Sequence, residues 1–378
     1  MIVFLFISSI LLIVYTYFGY PVSLVLAAFF RNKEVKKASL SPHVTIIITA
    51  YNEEEKIQRK LENTISLEYP RDRLQIIVSS DGSTDRTNEI TGGYRQKGVD
   101  LVEIMPRKGK ENAQKEAVRR AKGEVIVFTD VATLLDTHAI KQMVSNFADP
   151  SVGCVSSEDR LIGKDGRPGG EGFYVRYEMW LRRIESRVHS LVGLSGSFFA
   201  ARREVCQDFS GEMQSDFRTV LNAVKMGLRG VSDPGAVGYY PDIAEGKREF
   251  DRKVRTVLRG LAVFFHHLEF LNFFRYGLFS YQFFCHKLLR WLVPFFLILC
   301  FVSNAFLASG SLFYKILLLI QFGFYGLAVW TRKNEAGGRA RAIGRGASYF
   351  SVVNLSILIA WWRYLRGQRV VMWQPSER

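Results

Sequence analysis

Three short apolar runs each end at an acidic residue, and no other feature of the chain limits its fold so strongly. Residues 44–50 (VTIIITA) lead into Tyr51-Asn52-Glu53, residues 74–80 (LQIIVSS) end at Asp81, and residues 124–129 (EVIVFT) end at Asp130. Nearly continuous apolar runs of this length read as strands covered on both faces, as in parallel sheets. Helix-like stretches at 54–66, 84–97 and 111–121 lie between and after them, the first with Ile57, Leu61 and Ile65 at a spacing of four. A βαβ series of this kind predicts an α/β sheet. Ligands of such sheets bind beyond the carboxyl ends of the strands. Three acids gathered there repel one another unless the ligand brings donors or positive charge, as a ribose or a metal ion does.

The apolar content is uneven. Residues 1–30 contain no charged side chain, and about 20 apolar residues suffice to span a bilayer. A signal peptide fits this stretch poorly, because no basic segment precedes it and no small-x-small cleavage site follows it; a retained anchor is expected. Residues 288–308 and 312–330 are again apolar, joined by the uncharged Ser309-Gly310-Ser311, and 348–362 is a shorter third candidate. Basic residues crowd the other ends: Arg31, Lys33, Lys36 and Lys37 after the first segment, and Arg332, Lys333, Arg339, Arg341 and Arg345 after residues 312–330. The positive-inside rule then places the central body in the cytoplasm and makes 288–331 a helical hairpin. The last segment, at 348–365, either spans, lies in the interface or re-enters. The expected localisation is the cell (inner) membrane, multi-pass, with the catalytic body cytoplasmic.

Much of the net charge of +15 is explained by these flanks, which also attract anionic lipid, so nucleic acid is not an expected partner. Cys154, Cys206, Cys285 and Cys300 show no zinc or redox spacing and fit core packing in a reducing compartment. The body is expected at 39–250. Its second half holds a charged glycine-rich loop at 163–172, helices at 173–190 and 216–226, and a turn into a strand at 193–203. Residues 251–287 mix aromatics with Lys253, Arg255, Arg259 and Arg275, a composition suited to amphipathic interfacial helices.

Three motifs carry candidate chemistry, each beside a plainer reading. Glu53 accepts a nucleoside hydroxyl, or else Asn52 caps the next helix and Glu53 faces its N-terminal dipole. In Ser80 to Thr87 (SDGSTDRT), Asp81, Gly82 and a Ser83 or Thr84 cap form either a nucleoside-binding edge or an ordinary βα turn. Lys108 and Lys110 face phosphates as point charges, or are a solvated run before a helix.

Taken in order, these motifs resemble a family 2 glycosyltransferase with a GT-A fold, a Rossmann-like mixed sheet, here joined to transmembrane helices. The resemblance rests on Tyr51-Asn52-Glu53, on Asp81-Gly82-Ser83 with Asp85, on Gly109-Lys110 with Ala113, on Asp130, on Gly196 to Glu204 and on Ser215-Asp216. It implies transfer of a sugar, often from a UDP-sugar, to an acceptor hydroxyl. Tyr51, Glu53 and Asp81 are then donor ligands and Lys110 lies near the same pocket. Asp130 holds the donor and a divalent cation, Mg or Mn, and Asp216 is the general base. The implied acceptor is a membrane-associated glycan or lipid-linked sugar, in cell-surface or exopolysaccharide synthesis.

Two departures from the family pattern matter. The second acid of its Asp-x-Asp is Ala132, which leaves the cation to Asp130, the donor diphosphate and water. The Gln-x-x-Arg-Trp motif of processive members is replaced by residues 252–256 (RKVRT). There Arg255 is either a diphosphate clamp or, with Arg252 and Arg259, a ligand of phospholipid headgroups. The missing tryptophan favours single-sugar transfer over processive synthesis. A non-catalytic nucleotide-sugar sensor regulating a membrane partner is the rival from another class, supported by Ala132 and opposed by the presence of Lys110, Asp130 and Asp216 together.

Overall fold

The computed structural model describes residues 1–162, 173–207, 209, 211–241, 246–333 and 339–370. The expected 163–172 loop lies outside them. The described chain divides into two compact units, one holding residues 24–244 and the other most of 1–23, 245–273 and 280–369.

The first unit is built on an eight-stranded sheet in the order β3-β2-β1-β4-β7-β6-β8-β5. Its strands are β1 (Val44–Ala50), β2 (Leu74–Asp81), β3 (Val99–Ile104), β4 (Val125–Asp130), β5 (Leu134–Leu135), β6 (Val152–Ile162), β7 (Phe198–Arg202) and β8 (Arg229–Pro241). The three acid-ended runs are β1, β2 and β4, and they pair in parallel with Ile46 beside both Ile76 and Val127. Every residue of β1 is buried, the outcome expected of a central strand covered on both faces. β7 then runs antiparallel to β4, with Thr129 opposite Phe198, and β6 antiparallel to β7. This reversal brings the start of β7 to the same edge as the end of β4. Stacking of Phe128 on Phe199 at 4.7 Å and on Phe209 at 5.3 Å fills the sheet face beneath that edge. All four cysteines are buried and free.

Local chemistry explains where the elements stop. The helix expected at 84–97 is broken into Thr87–Gly92 and a short turn at Arg95–Lys97, because Gly92 and Gly93 interrupt it and Gly98 takes φ 83°. Asn52 does not cap the Glu54–Ile65 helix. It sits at φ 49° and its Oδ1 accepts the Thr84 amide at 2.8 Å. That helix is capped from the neighbouring turn, by Asp85 accepting the Glu54 amide at 3.0 Å and Thr87 Oγ1 accepting the Glu53 amide at 2.8 Å. Asp85 also accepts the Thr87 amide at 3.0 Å, so one carboxylate fixes two helix starts.

The second unit holds most of the apolar helices. Ile2–Phe30, Leu278–Ala308 and Leu312–Arg332 are long and apolar enough to cross a membrane. The Arg339–Leu365 helix contains the shorter third candidate. Tyr281 Oη meets Tyr15 Oη at 2.7 Å, Trp361 Nε1 donates to the Trp291 carbonyl at 2.9 Å, and the Asn304 and Gln321 amides meet at 3.0 Å. Polar contacts of this kind join helices where apolar burial gives no preference. The stretch expected to be interfacial contains one long helix, Gly246–His266, followed by short turns with Phe273 and Phe274 exposed.

One backbone approach is unusually close. A Cβ on Gly123 would lie 2.5 Å from the Thr45 amide nitrogen and 2.7 Å from the Val44 carbonyl carbon. Both belong to the buried central strand and cannot yield. Gly123→Ala is therefore expected to destabilise the body by about 2–4 kcal/mol, measured as chemical or thermal unfolding in detergent; a variant as stable as the parent contradicts this reading of β1 as rigid.

Candidate active site

Site chemistry collects at the carboxyl edge of β1, β2 and β4. Asp81 is fully buried at the end of β2. Its two oxygens accept the Lys108 and Gly109 amides, each at 2.8 Å, and Arg107 Nε lies 3.5 Å away. The carboxylate thus fixes the 107–109 turn that starts the Lys110–Arg120 helix. Gly82, at φ 71°, passes so near Arg107 that a Cβ there would lie 2.9 Å from the arginine Cβ. The Arg107 guanidinium lies over the Tyr51 ring at 3.4 Å, a cation–π contact. Arg107 was not among the residues expected from sequence; only its place just ahead of Gly109-Lys110 hinted at a role.

Lys110 is buried, and its ammonium is bonded to Asp130 Oδ1 and, at 3.0 Å, to the Gly196 carbonyl. Asp130 in turn donates its amide to the Ser197 carbonyl at 3.0 Å. Behind this pair stands Lys60, fully buried on the inner face of the Glu54–Ile65 helix with Ile57 and Leu61. Its ammonium donates to Thr129 Oγ1 at 3.0 Å and to the Thr133 carbonyl. Burial pulls the Lys60 ammonium down to about 7, with Asp130 acting the other way. Lys60 therefore closes the Asp130-Val131-Ala132-Thr133 turn from below, and it too was missed from sequence.

Glu53 is 6% exposed. Burial raises its carboxyl to about 7; Lys56, 3.7 Å away, opposes the shift, while Asp130 and Asp85 add to it. The folded protein holds this proton more tightly than the unfolded chain does. Its contribution to stability is complete below the unfolded value of 4.5 and is lost as pH rises through about 7. Glu53→Gln removes that dependence. Its stability relative to the parent should rise between pH 5 and pH 8 by about 2 kcal/mol, read from unfolding midpoints; a gap independent of pH contradicts burial as the cause.

Asp216 occupies the first turn of the Ser215–Lys225 helix. Its Oδ1 accepts the Phe217 amide at 2.9 Å and its Oδ2 accepts from Gln214 at 3.1 Å. Its carbonyl accepts the Leu194 amide at 3.3 Å. Gly196 stands between Asp216 and the lysine–aspartate pair: a Cβ there would lie 3.0 Å from Asp216 Oδ2. Six of the seven expected site residues, Tyr51, Glu53, Asp81, Lys110, Asp130 and Asp216, thus belong to the sheet unit. Arg255 belongs to the other unit, half-buried on the Gly246–His266 helix.

Among the described residues no group of three or more His, Cys, Asp or Glu side chains is gathered to hold a metal ion. Asp130 is a single carboxylate already paired with Lys110. These residues do not fit a cation held by protein alone; they fit one whose other oxygens arrive with a diphosphate.

Residues 45–209 match the family model described as glycosyl transferase family 2. These residues are a family 2 glycosyltransferase domain. Related curated proteins include the poly-β-1,6-N-acetyl-D-glucosamine synthase of Staphylococcus epidermidis, 28% identical over 169 residues, covering 44% of this chain and 40% of that protein. The synthase of the same name from Staphylococcus aureus is 28% identical over 193 residues, covering 50% and 46%. The chain spans less than half the length of these relatives. Among solved structures, the mannosyltransferase PcManGT from Pyrobaculum calidifontis, in complex with GDP-Man and Mn²⁺, superimposes with a TM-score of 0.74 at 24% identity, covering 97% of this chain and 100% of that one. The fold is that of GT-A glycosyltransferases.

The glycosyltransferase domain leaves little room at Gly196. Gly196→Ala forces either the Asp216 carboxylate or the loop to shift by a few tenths of an ångström. A displacement of that kind between Asp216 and the Lys110–Asp130 pair is expected to lower turnover about tenfold or more with unfolding unchanged; full activity in the alanine variant contradicts the crowding.

Proposed function

We propose that this chain is a membrane-anchored inverting glycosyltransferase that moves a sugar from a nucleotide-sugar to a hydroxyl of a membrane-associated glycan or lipid-linked acceptor. One observation carries the reading: Lys110 and Asp130 on one side, and Asp216 on the other, meet at the single residue Gly196. A lysine suited to a diphosphate and a carboxylate suited to the cation that accompanies it thus stand one residue from a second carboxylate suited to deprotonating an acceptor.

In this reading the nucleoside lies along Tyr51, Glu53 and Arg107, and Asp81 holds the turn that presents Arg107 and Lys110. Lys110 neutralises the diphosphate as a point charge. A divalent cation, when bound with the donor, would use Asp130 as its protein ligand and supply Lewis-acid stabilisation of the leaving diphosphate. The mannosyltransferase PcManGT was solved with GDP-Man and Mn²⁺, which supports a cation of this class. Asp216 takes the proton from the acceptor hydroxyl, which attacks the sugar from the face opposite the diphosphate, so a single carboxylate base is sufficient. The apolar helices support membrane attachment, and the basic residues flanking them support a body in the cytoplasm.

A second reading, processive polymer synthesis, is favoured by the relatives named as poly-β-1,6-N-acetyl-D-glucosamine synthases. It is opposed by the absence of the tryptophan motif after Arg252. Product length separates the two: one added sugar supports single transfer, and long chains support the synthase.

The test is a panel of UDP- and GDP-sugars offered to the purified protein in detergent, with Mg²⁺, Mn²⁺ or chelator. Transfer or slow donor hydrolysis with one donor class is expected. Asp216→Asn should lower transfer by about 10²–10⁴-fold while nucleotide binding by calorimetry changes less than about twofold. Nucleotide binding without any turnover of the parent protein would instead support a sensor, and full turnover in Asp216→Asn would remove it as the base.

A further inference from the structure

The five residues at 193–197 (GLSGS) are bonded one by one to the elements around them. Arg182 donates to the Gly193 carbonyl at 3.2 Å, and the Leu194 amide donates to the Asp216 carbonyl. The Ser195 amide donates to Ser156 Oγ at 2.8 Å. Gly196 and Ser197 offer their carbonyls to Lys110 and Asp130. What remains are the two serine hydroxyls on either side of Gly196, and both go to one group. Asp159 Oδ2 accepts Ser195 Oγ, and Asp159 Oδ1 accepts Ser197 Oγ at 3.0 Å and Ser157 Oγ at 2.9 Å. The two serine oxygens of the loop lie 2.9 Å apart.

Asp159 reaches this place because β6 runs antiparallel to β7, with Ser156 opposite Phe199. The distal half of β6 therefore lies beside the start of β7. Both loop hydroxyls depend on this one acid, which also takes the Ser157 hydroxyl.

We propose that Asp159 is a positioning residue of the active site: by holding Ser195 and Ser197 it sets where Gly196 stands between the Lys110–Asp130 pair and Asp216. The assignment rests on the function proposed above. Asp159 spends its oxygens on hydroxyls of its own chain and acts on the reaction through the loop. Neither the acid-ended strands nor the family motifs pointed to it.

The test uses the full chain in detergent as parent, Asp159→Ala, Asp159→Asn and the double variant Ser195→Ala/Ser197→Ala. Two readouts are taken. In hydrogen–deuterium exchange, Asp159→Ala and the double serine variant should speed exchange of the 193–197 amides by about tenfold or more, with the β1 amides unchanged. Asparagine, which keeps one oxygen and can donate to serine oxygens, should fall between. In steady-state transfer, kcat should fall about 10- to 100-fold with the donor KM within about threefold. Combining Asp159→Ala with the serine changes should cost no more than Asp159→Ala alone. The acidic limb of the pH–rate profile should persist in Asp159→Asn.

Parent-like loop exchange in Asp159→Ala overturns the proposal, as does a parent-like kcat. Loss of the acidic limb in Asp159→Asn overturns it too, because Asp159 would then be the base itself. Should the alanine variant fail to fold, the asparagine and serine variants decide by the same readouts. The exchange measurement needs no turnover. A parent protein inactive on every nucleotide-sugar therefore defeats the functional reading alone, and the loop's dependence on Asp159 is still decided by exchange.

Discussion

Reversal of strand direction between β4 and β7 is the constraint on which the rest of the site depends. In a wholly parallel sheet the end of β4 would face only the starts of helices. Here β7 is antiparallel to β4, and β6 antiparallel to β7. The loop entering β7 is therefore delivered to the edge where β1, β2 and β4 end. Asp130 continues the ladder by donating its amide to Ser197, and Lys110 crosses to the Gly196 carbonyl. One short loop thereby joins the parallel half of the sheet, where the nucleotide is proposed to bind, to a second half that supplies Asp159 and Asp216.

Electrostatics at this edge are arranged in layers. Asp81 is satisfied by backbone amides and by Arg107, Asp130 by Lys110, and Lys60 lies beneath the turn after Asp130. Glu53 is pushed up to about 7 by burial and by its acidic neighbours. The repulsion expected of three gathered acids is thus relieved by lysine and arginine already in the chain. A donor diphosphate entering here would meet lysine and arginine charge that is already paired with acids, and a cation arriving with it would find Asp130 as its protein ligand.

Much of this was legible in the sequence, for a physical reason. The acid-ended strands declare themselves through unbroken apolar runs, and Asp81, Lys110, Asp130 and Asp216 sit at element ends that local patterning marks. Residues defined by approach in space were not legible. Lys60 interrupts the apolar face of its helix, yet nothing local says that a carbonyl waits at Thr133. Arg107 gains its place from Tyr51, and Asp159 from serines 36 and 38 positions away. The alternative that Asn52 caps the next helix fails because the capping groups, Asp85 and Thr87, come from the next βα turn. β3, at the sheet edge, was passed over because the exposed Asp100 and Glu103 interrupt its apolar residues, so it lacks the continuous apolar signal.

A structure of the purified protein with a nucleoside diphosphate and Mg²⁺ tests the central claim most directly. The account predicts the base or ribose beside Tyr51, Glu53 and Arg107, the diphosphate between Lys110 and Asp130, and Asp216 on the far side of Gly196 facing open space for an acceptor. Nucleotide bound elsewhere, or a diphosphate on the Asp216 side of Gly196, would contradict it.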